Sequence, residues 1–150
     1  MTNDVSTPPR LPLAEIKRQY HAYLGHRASL ALDAKARAGG CVGFATTGYT
    51  NIDGAAEPDP KLGPLVEEAF RMIAQKRSSL TMVLAELTPR GLVSRSGKPL
   101  SPSALARMIQ NPFYVGMIHY KGQIYEGTHK ALVSPSLFDR AGRSLRRRRR

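Results

Sequence analysis

The chain has 150 residues, enough for one domain of ordinary size with an appended helix but not for two large hydrophobic cores. Its 23 Lys and Arg residues outnumber 11 Asp and Glu residues, and the resulting net charge of +12 favours a polyanionic partner. A single cysteine, Cys41, excludes an intramolecular disulfide and any zinc site built from several thiolates, and no apolar run is long enough to cross a bilayer.

The two ends of the chain are predicted to lie outside the folded domain. Residues 1–12 are polar and rich in proline, which predicts a disordered leader, and they lack the basic region and apolar core of a secretory signal. Residues 146–150 are all arginine, so a solvated tail that adds non-specific, salt-sensitive binding is expected. A cytoplasmic, nucleoid-associated protein without a membrane partner fits these features.

A linker helix is predicted over residues 13–40. Apolar residues recur at helical spacing from Leu13 to about Ala38, and the pair Gly39 and Gly40 is typical of a helix C-terminus. Gly25 lies inside this pattern and costs about 1 kcal/mol relative to alanine. A bend near Gly25, rather than a break, is therefore expected.

A domain is predicted over residues 41–145, starting with a turn-rich segment. A short strand is expected at residues 49–52, turning at Asp53 and Gly54. Apolar residues from Leu65 to Ile73 then indicate a helix, with Glu67 and Glu68 placed near its N-terminus, where the helix macrodipole would account for them. A cap at Ser78 or Ser79 is expected before the next helix.

Two short helices separated by a basic loop form the centre of the sequence. The first has apolar residues at helical spacing from Leu80 to Leu87 and ends at Pro89 and Gly91; the second begins with Ser101 as N-cap and Pro102 at the first helical position. This pattern favours a helix-turn-helix-like unit, although the connection is longer than the standard tight turn.

The remaining sequence changes to a strand period. Alternation from Phe113 to Ile118 predicts a strand, a turn at Lys121 and Gly122 leads to a second strand at residues 123–127, and a further short strand is expected at residues 130–133. A last helix then begins after a cap at Ser134. The predicted fold class is α+β: a long N-terminal helix, then a small helical cluster packed with a short antiparallel sheet.

Four stretches resemble the recombinase domain of large serine recombinases, the serine integrases and transposon resolvases. They are KARAGG leading to Gly48 and Tyr49, a PDP stretch before LVEEAFRMIA, the block GLVSRSGKPLSPSALARMIQNPFYVGMIHYKG, and HKALVSPSLFDRA. The third is the most specific, because a basic Gly-Lys-Pro loop, a Ser-capped helix and Asn-Pro-x-Tyr-x-Gly occur in that order. Thr46 and Thr47 depart from the family, which usually has a proline before the Gly-Tyr pair, and Lys130 and Ala131 replace its usual Glu-Pro.

The resemblance implies a DNA-binding domain that takes part in recombination and integration of mobile elements. The family's catalytic resolvase domain and zinc ribbon have no counterpart in these 150 residues, so a fragment whose catalytic serine comes from a separate subunit is expected. Double-stranded DNA is the expected partner, and the sequence leaves the oligomeric state open. No catalytic residue, cofactor or metal ligand is predicted: the serines fit caps and loops, and the four histidines are scattered.

Candidate DNA contacts lie on the second central helix and the loop before it. Burial of the apolar side would turn Ser103, Ala106, Arg107 and Gln110 outward, where Arg107 can pair with guanine and Gln110 with adenine. Arg90, Arg95 and Lys98 have no acidic partner within the loop and are expected to meet phosphates. The alternative is an ordinary solvated polar helix face. The predicted DNA-binding residues are Arg90, Arg95, Lys98, Ser101, Ser103, Arg107 and Gln110.

Two rival functions remain at this point. A helix-turn-helix transcription regulator would need the same central helices, and a basic RNA-binding protein would use the arginine tail and the tyrosines of the predicted strands. Packing is the expected role of Tyr114, Tyr120 and Tyr125, and of His129 beside the sheet. Cys41 follows a glycine pair and is an alternative reactive group, although no histidine and base arrangement accompanies it.

Overall fold

The computed structural model describes residues 12–43, 45–75 and 78–148. Within these residues the chain forms five α-helices, one short 3-10 helix and two antiparallel β-hairpins, which confirms the predicted α+β class. The predicted disordered leader, apart from Pro12, and the last two arginines lie outside the described residues. No helix in the described ranges is both long and apolar enough to cross a membrane.

The long N-terminal helix α1 spans Leu13–Arg37 and continues without interruption through Gly25, so the predicted absence of a break is confirmed, while the bend near Gly25 stays a prediction. Its large apolar side chains, including Leu13, Tyr20 and Leu30, are exposed. The chain divides into two units, residues 1–34 and 35–150, and the hydrophobic core belongs to the second.

Both hairpins use the same turn chemistry. Strand β1, Tyr49–Ile52, pairs with β2, Ala55–Pro58, and strand β3, Met117–Tyr120, pairs with β4, Gln123–Glu126. The two-residue turns, Asp53-Gly54 and Lys121-Gly122, have positive φ at both positions, as hairpins with matching twist require. The predicted strands at 49–52 and 123–127 are therefore confirmed, whereas β2 was not anticipated.

Four helices enclose the core: α2, Leu62–Ala74; α3, Leu80–Leu87; α4, Pro102–Ile109; and α5, Pro135–Arg148. Helix α2 packs most extensively on α5 and also contacts α3, while α4 contacts both α3 and α5. The largest fully buried side chains are Tyr114, Phe70, Ile73, Leu87, Leu92, Leu105, Ile109, Val66 and Val83.

Two predicted strand segments are wrong. Residues Pro112–Val115 form a 3-10 helix, because the side chain of Asn111 caps it by accepting from the Phe113 amide and Gly116 closes it with a φ of 87°. Residues 130–133 are not a strand, since the amides of Leu132 and Val133 both donate to the Tyr114 carbonyl instead of a strand partner.

Helix α2 begins three residues earlier than its apolar pattern indicated. The Asp59 carboxylate accepts from the amides of Lys61 and Leu62, which starts the helix at Leu62. Glu67 and Glu68 consequently lie in its second turn, beyond the first turn in which the macrodipole acts. The macrodipole interpretation of these two carboxylates is therefore wrong.

Candidate nucleic-acid interface

The two central helices have the caps and the buried sides that the sequence predicted. Ser79 Oγ accepts from the Met82 amide at 3.2 Å, and Ser101 Oγ accepts from the Ala104 amide at 3.1 Å. Ser79, rather than Ser78, is thus the cap of α3. Six large apolar residues of the two helices are buried in one cluster: Val83, Leu84, Leu87, Leu105, Met108 and Ile109.

The basic connection between α3 and α4 is a small hairpin. Val93 and Pro99 form a bridge at its base, and the Ser94 amide donates to the Lys98 carbonyl at 2.7 Å. Gly97 has a φ of 77° at its tip, a conformation that glycine adopts without strain. Arg95 and Lys98 are exposed on this hairpin, as expected for residues that meet phosphates.

The solvent-facing side of α4 differs from the prediction at one position. Ser103, Arg107 and Gln110 are exposed, but Ala106 is only 7% exposed and packs in the core. The apolar arc of this short helix is therefore wider than an i, i+3, i+4 stripe indicates. Arg107 keeps its guanidinium available, since it forms no ion pair among the described residues.

Gln110 lies at the C-terminal cap of α4, and its side chain is partly engaged. Its Nε2 donates to the Ala106 carbonyl at 3.1 Å. A primary amide has two donor hydrogens and one acceptor oxygen, so one N–H and Oε1 stay available for a bidentate contact. The 3.1 Å bond fixes where the Gln110 amide lies beside Arg107 on the same helix.

Arg90 has an acidic partner that the sequence did not reveal. Its two terminal nitrogens donate to the two carboxylate oxygens of Glu68 at 2.8 Å each, a bidentate pair that joins the end of α3 to α2. The Arg90 guanidinium lowers the pKa of Glu68, chiefly through these hydrogen bonds. Arg90, a predicted phosphate ligand, is therefore already neutralised within the fold.

A segment that the prediction left out, residues 45–47, lies beside α4 and the basic hairpin. Thr46 and Thr47 line a groove of about 320 Å³ together with Ala104 and Arg107 of α4. The same two threonines line a second groove, of about 580 Å³, whose other wall includes Arg95. The only sequence signal for this segment was its departure from the family pattern.

One long-range and one local hydrogen bond hold residues 45–47 in place. Tyr114 Oη donates to the Thr47 carbonyl at 2.7 Å, and the Tyr49 amide donates to the Thr46 carbonyl at 2.9 Å. Gly48 follows with a φ of 94°, and a Cβ there would approach Val66 Cγ2 to 2.9 Å. Glycine is thus required at 48 both by conformation and by space.

A cluster of aromatic side chains in the core supports residues 45–47. Tyr49 Oη donates to the Lys130 carbonyl at 2.7 Å and accepts from the Leu132 amide at 3.1 Å, and burial raises the pKa of Tyr49 to about 12. His129 stacks on Phe113 with ring centroids 3.8 Å apart, and its Nε2 lies 2.6 Å from the Phe113 carbonyl. The packing role predicted for His129 is confirmed.

Three other groups belong to the folded structure: Tyr114, Cys41 and arginines 146–148. Tyr114 is fully buried, so it packs in the core as predicted. Cys41 is 6% exposed and burial raises the pKa of its thiol, with only a smaller opposing effect from Lys35, which does not favour a reactive thiolate. Arginines 146–148, expected in a solvated tail, are the last turn of α5.

Comparisons with known proteins identify solved structures that share this fold. The chain has the same fold as a crystal structure described as an LSR–DNA complex, where LSR denotes a large serine recombinase: the TM-score is 0.67 and the identity 20%, over 81% of this chain and 39% of that one. A structure described by the sequence requirements of the Listeria innocua prophage attP site gives the same TM-score of 0.67 and 20% identity, over 81% of this chain and 52% of that one. The chain thus spans about two fifths to one half of these solved chains.

No curated protein matches the chain. The family model named Recombinase, however, matches residues 60–148, which include α2 to α5, the basic hairpin and the second β-hairpin. This match covers more than half of the sequence and contains all the predicted DNA-binding residues. The chain therefore belongs to the Recombinase family, and the resemblance to large serine recombinases seen in its sequence is confirmed.

Proposed function

We propose that this chain is a duplex-DNA-binding module of a serine site-specific recombinase, with residues 41–145 as the binding domain and residues 13–40 as a linker. The observation that carries the proposal is helix α4, which buries its apolar side and exposes Arg107 and Gln110 next to each other on the other side. An α-helix fits the major groove, which is about 12 Å wide.

The chemistry of the exposed side fits base recognition. The guanidinium of Arg107 can donate two parallel hydrogen bonds to guanine O6 and N7, and the free N–H and Oε1 of Gln110 can pair with adenine N7 and N6. Arg95 and Lys98, on the hairpin that leads into α4, supply positive charge for adjacent phosphates and so set affinity rather than sequence preference. Ser103 is exposed at the start of the same side.

The family match and the DNA named in the description of the LSR complex both support DNA as the partner. Strand cleavage is assigned to a serine catalytic domain or subunit supplied elsewhere. Three serines of this chain, Ser79, Ser101 and Ser134, accept amide hydrogen bonds as helix caps, which is a structural use of the hydroxyl. Cytoplasmic, nucleoid-associated localisation follows from the same proposal.

The test is a binding measurement on the purified chain. Duplexes selected from a random pool are titrated by fluorescence anisotropy with wild type, Arg107→Ala and Gln110→Ala, and with Lys61→Ala as a control for loss of an exposed positive charge. Each bidentate pair contributes about 1–3 kcal/mol of discrimination, so each α4 variant should lose roughly 10- to 100-fold selectivity at one base position. The Lys61 control should keep full selectivity.

Two outcomes would contradict the proposal. If both α4 variants keep wild-type selectivity, α4 is not the recognition helix; if structured RNA outcompetes duplex DNA at matched salt, the partner is wrong. The RNA alternative has lost one supporting feature, since Tyr114 is buried and cannot stack on a base. Incubation with the selected duplex alone should give no strand breakage, and breakage by the chain would refute the assignment of cleavage elsewhere.

A further inference from the structure

Helix α5 exposes a row of arginines along one side. Arg140, Arg143, Arg146 and Arg147 are exposed, while the opposite, apolar side of the same helix is buried against the core. With 100° between successive residues, these four positions fall within an arc of about 120° and along about 10 Å of the helix axis. We call these four residues the arginine row.

Salt bridges within the described part of the fold do not account for the arginine row. Among the described residues its members form no ion pair, whereas Arg71 and Arg90 are paired with Glu67 and Glu68 on α2. Like charges three and four residues apart destabilise a helix by a few tenths of a kcal/mol per pair. The macrodipole favours cations only in the last turn, which leaves the middle of α5 unexplained.

We propose that the arginine row is a second phosphate-binding surface for duplex DNA, separate from the exposed side of α4; this inference rests on the proposed function. Duplex DNA carries one negative charge per about 3.4 Å of its axis on each strand, so a 10 Å row spans about three phosphates of one strand. Guanidinium groups bind phosphate oxygens with two parallel hydrogen bonds.

The residues on the exposed side of α5 favour duplex DNA over a membrane or a protein as the partner. Apart from the arginines its exposed residues are Pro135, Ser136 and Asp139, so Pro135 at the start of the helix is its one exposed apolar residue. A membrane-surface helix needs an apolar face to insert, and a protein interface needs a largely apolar centre. Arg140 also lines a groove of about 420 Å³ between α5 and α2, whose other charged residues are the paired Arg71 and Glu67.

The arginine row contributes affinity but no base discrimination, because phosphates carry no sequence information. Helices α4 and α5 contact each other in one packed unit, so the two surfaces keep a fixed relation. Loss of the row should therefore weaken binding to every duplex equally. Loss of the α4 side chains should change only the preference between duplexes.

The experiment compares the triple variant Arg140→Gln, Arg143→Gln, Arg147→Gln with wild type across a range of KCl concentrations. Glutamine is chosen because its helix propensity is close to that of arginine. Each phosphate contact contributes about 0.9 to the slope of log K against log salt, so the slope should fall by about 2 to 3. Extrapolated from about 1 M salt, this corresponds to a loss on the order of 100-fold at ~0.1 M, for selected and unrelated duplexes alike.

Two control variants distinguish a specific role of the arginine row from a general effect of lowering the net charge. The variant Lys61→Gln, Lys121→Gln, Lys130→Gln removes the same charge from exposed positions elsewhere, and its slope should change by less than about 1. A triple lysine variant of the row keeps the charge and should restore the wild-type slope. Circular dichroism and thermal unfolding confirm that each variant is folded.

Several results would overturn the inference. A glutamine variant with the wild-type slope shows that the row does not contact the duplex, and equal losses in the row and control variants show only a net-charge effect. If wild type binds duplex and the α4 variants lose selectivity while the row variant changes nothing, only this inference fails. If wild type does not bind duplex at all, the proposed function fails with it.

Discussion

Replacing Tyr114 with Phe removes one hydroxyl group from the centre of the core and keeps the ring. The ring is fully buried and its centroid lies 5.4 Å from that of Phe70 and 6.0 Å from that of Tyr49, contacts that phenylalanine retains. The hydroxyl donates to the Thr47 carbonyl across 67 positions of sequence. The substitution therefore deletes the bond that holds residues 45–47 against the core, without changing the packed volume.

The expected cost follows from that one bond. A typical internal hydrogen bond contributes about 0.5–1.5 kcal/mol net, and a carbonyl left without a donor raises the penalty towards about 3 kcal/mol. Thr47 is partly exposed, so water can reach its carbonyl and limit this second cost. We expect a loss of about 1–2 kcal/mol in the free energy of unfolding, or about 2–8 °C in Tm for a chain of this size.

Urea unfolding followed by circular dichroism measures this difference. The matched control is Tyr125→Phe, since that hydroxyl bonds only the nearby Gln123 side chain, at 2.9 Å, and the ring lies on a partly exposed strand. The control should lose less than about 0.5 kcal/mol. Equal losses in both variants, or no loss in Tyr114→Phe, would show that the Thr47 bond does not anchor the segment.

Three further predictions concern single side chains. Arg90→Ala should leave the salt dependence of duplex binding almost unchanged, because Glu68 already neutralises Arg90. Lys98→Ala should reduce the slope of log K against log salt by about 1. Equal slopes for the two variants would contradict this difference. The Cys41 thiol should react with a disulfide reagent at pH 8 only after unfolding, because burial raises its pKa, and rapid reaction of the folded chain would disprove it. Burial raises the pKa of Tyr49 to about 12, so its contribution to stability is complete below about pH 10 and is lost as the pH rises towards 12. Urea unfolding at pH 9, 10 and 11 should show this decline in the free energy of unfolding. A free energy that does not change with pH over this range would refute the prediction.

The helices could be predicted from sequence because the signals for each one lie within its own residues. Apolar spacing, a serine cap and a proline at the first position coincide at Ser101 and Pro102, and the observed α4 begins at Pro102. The hairpin turns were equally local, since Asp53-Gly54 and Lys121-Gly122 both adopt the positive φ values that such pairs accept. These elements were predictable because their signals lie within a few neighbouring residues.

The strand errors arose where a local cap competed with strand composition. Phe113 to Ile118 alternates like a strand, but the Asn111 side chain and Gly116 fix the first part as a 3-10 helix. The Asn-Pro pair was itself a signal for a turn and should have outweighed the alternation. At residues 130–133 no local signal existed, because their amides bond to Tyr114 only once the chain has folded.

The candidate site was predictable in chemistry but not in its surroundings. Three of the four positions predicted to be exposed on α4 follow from helical spacing, whereas the placement of Thr46 and Thr47 beside Arg107 needs a bond that joins residues 67 positions apart. The pairing of Arg90 with Glu68 likewise joins two helices across 22 positions. Such pairings cannot be inferred from one sequence, since many carboxylates are equally plausible partners.

In the proposed function the two sides of α4 have separate roles, which would allow the preferred DNA sequence to vary while the fold stays constant. Leu105 and Ile109 are fully buried and fix the helix on the core, while Arg107 and Gln110 contribute little packing and are exposed. Substitutions at Ser103 or Arg107 should therefore cost little stability, within about 0.5 kcal/mol, because they remove no core contact, whereas Gln110→Ala also removes the bond to the Ala106 carbonyl. A Recombinase-family chain can in this way acquire a new preferred duplex by changes at exposed positions, provided that the buried side and the Ser101 cap are kept.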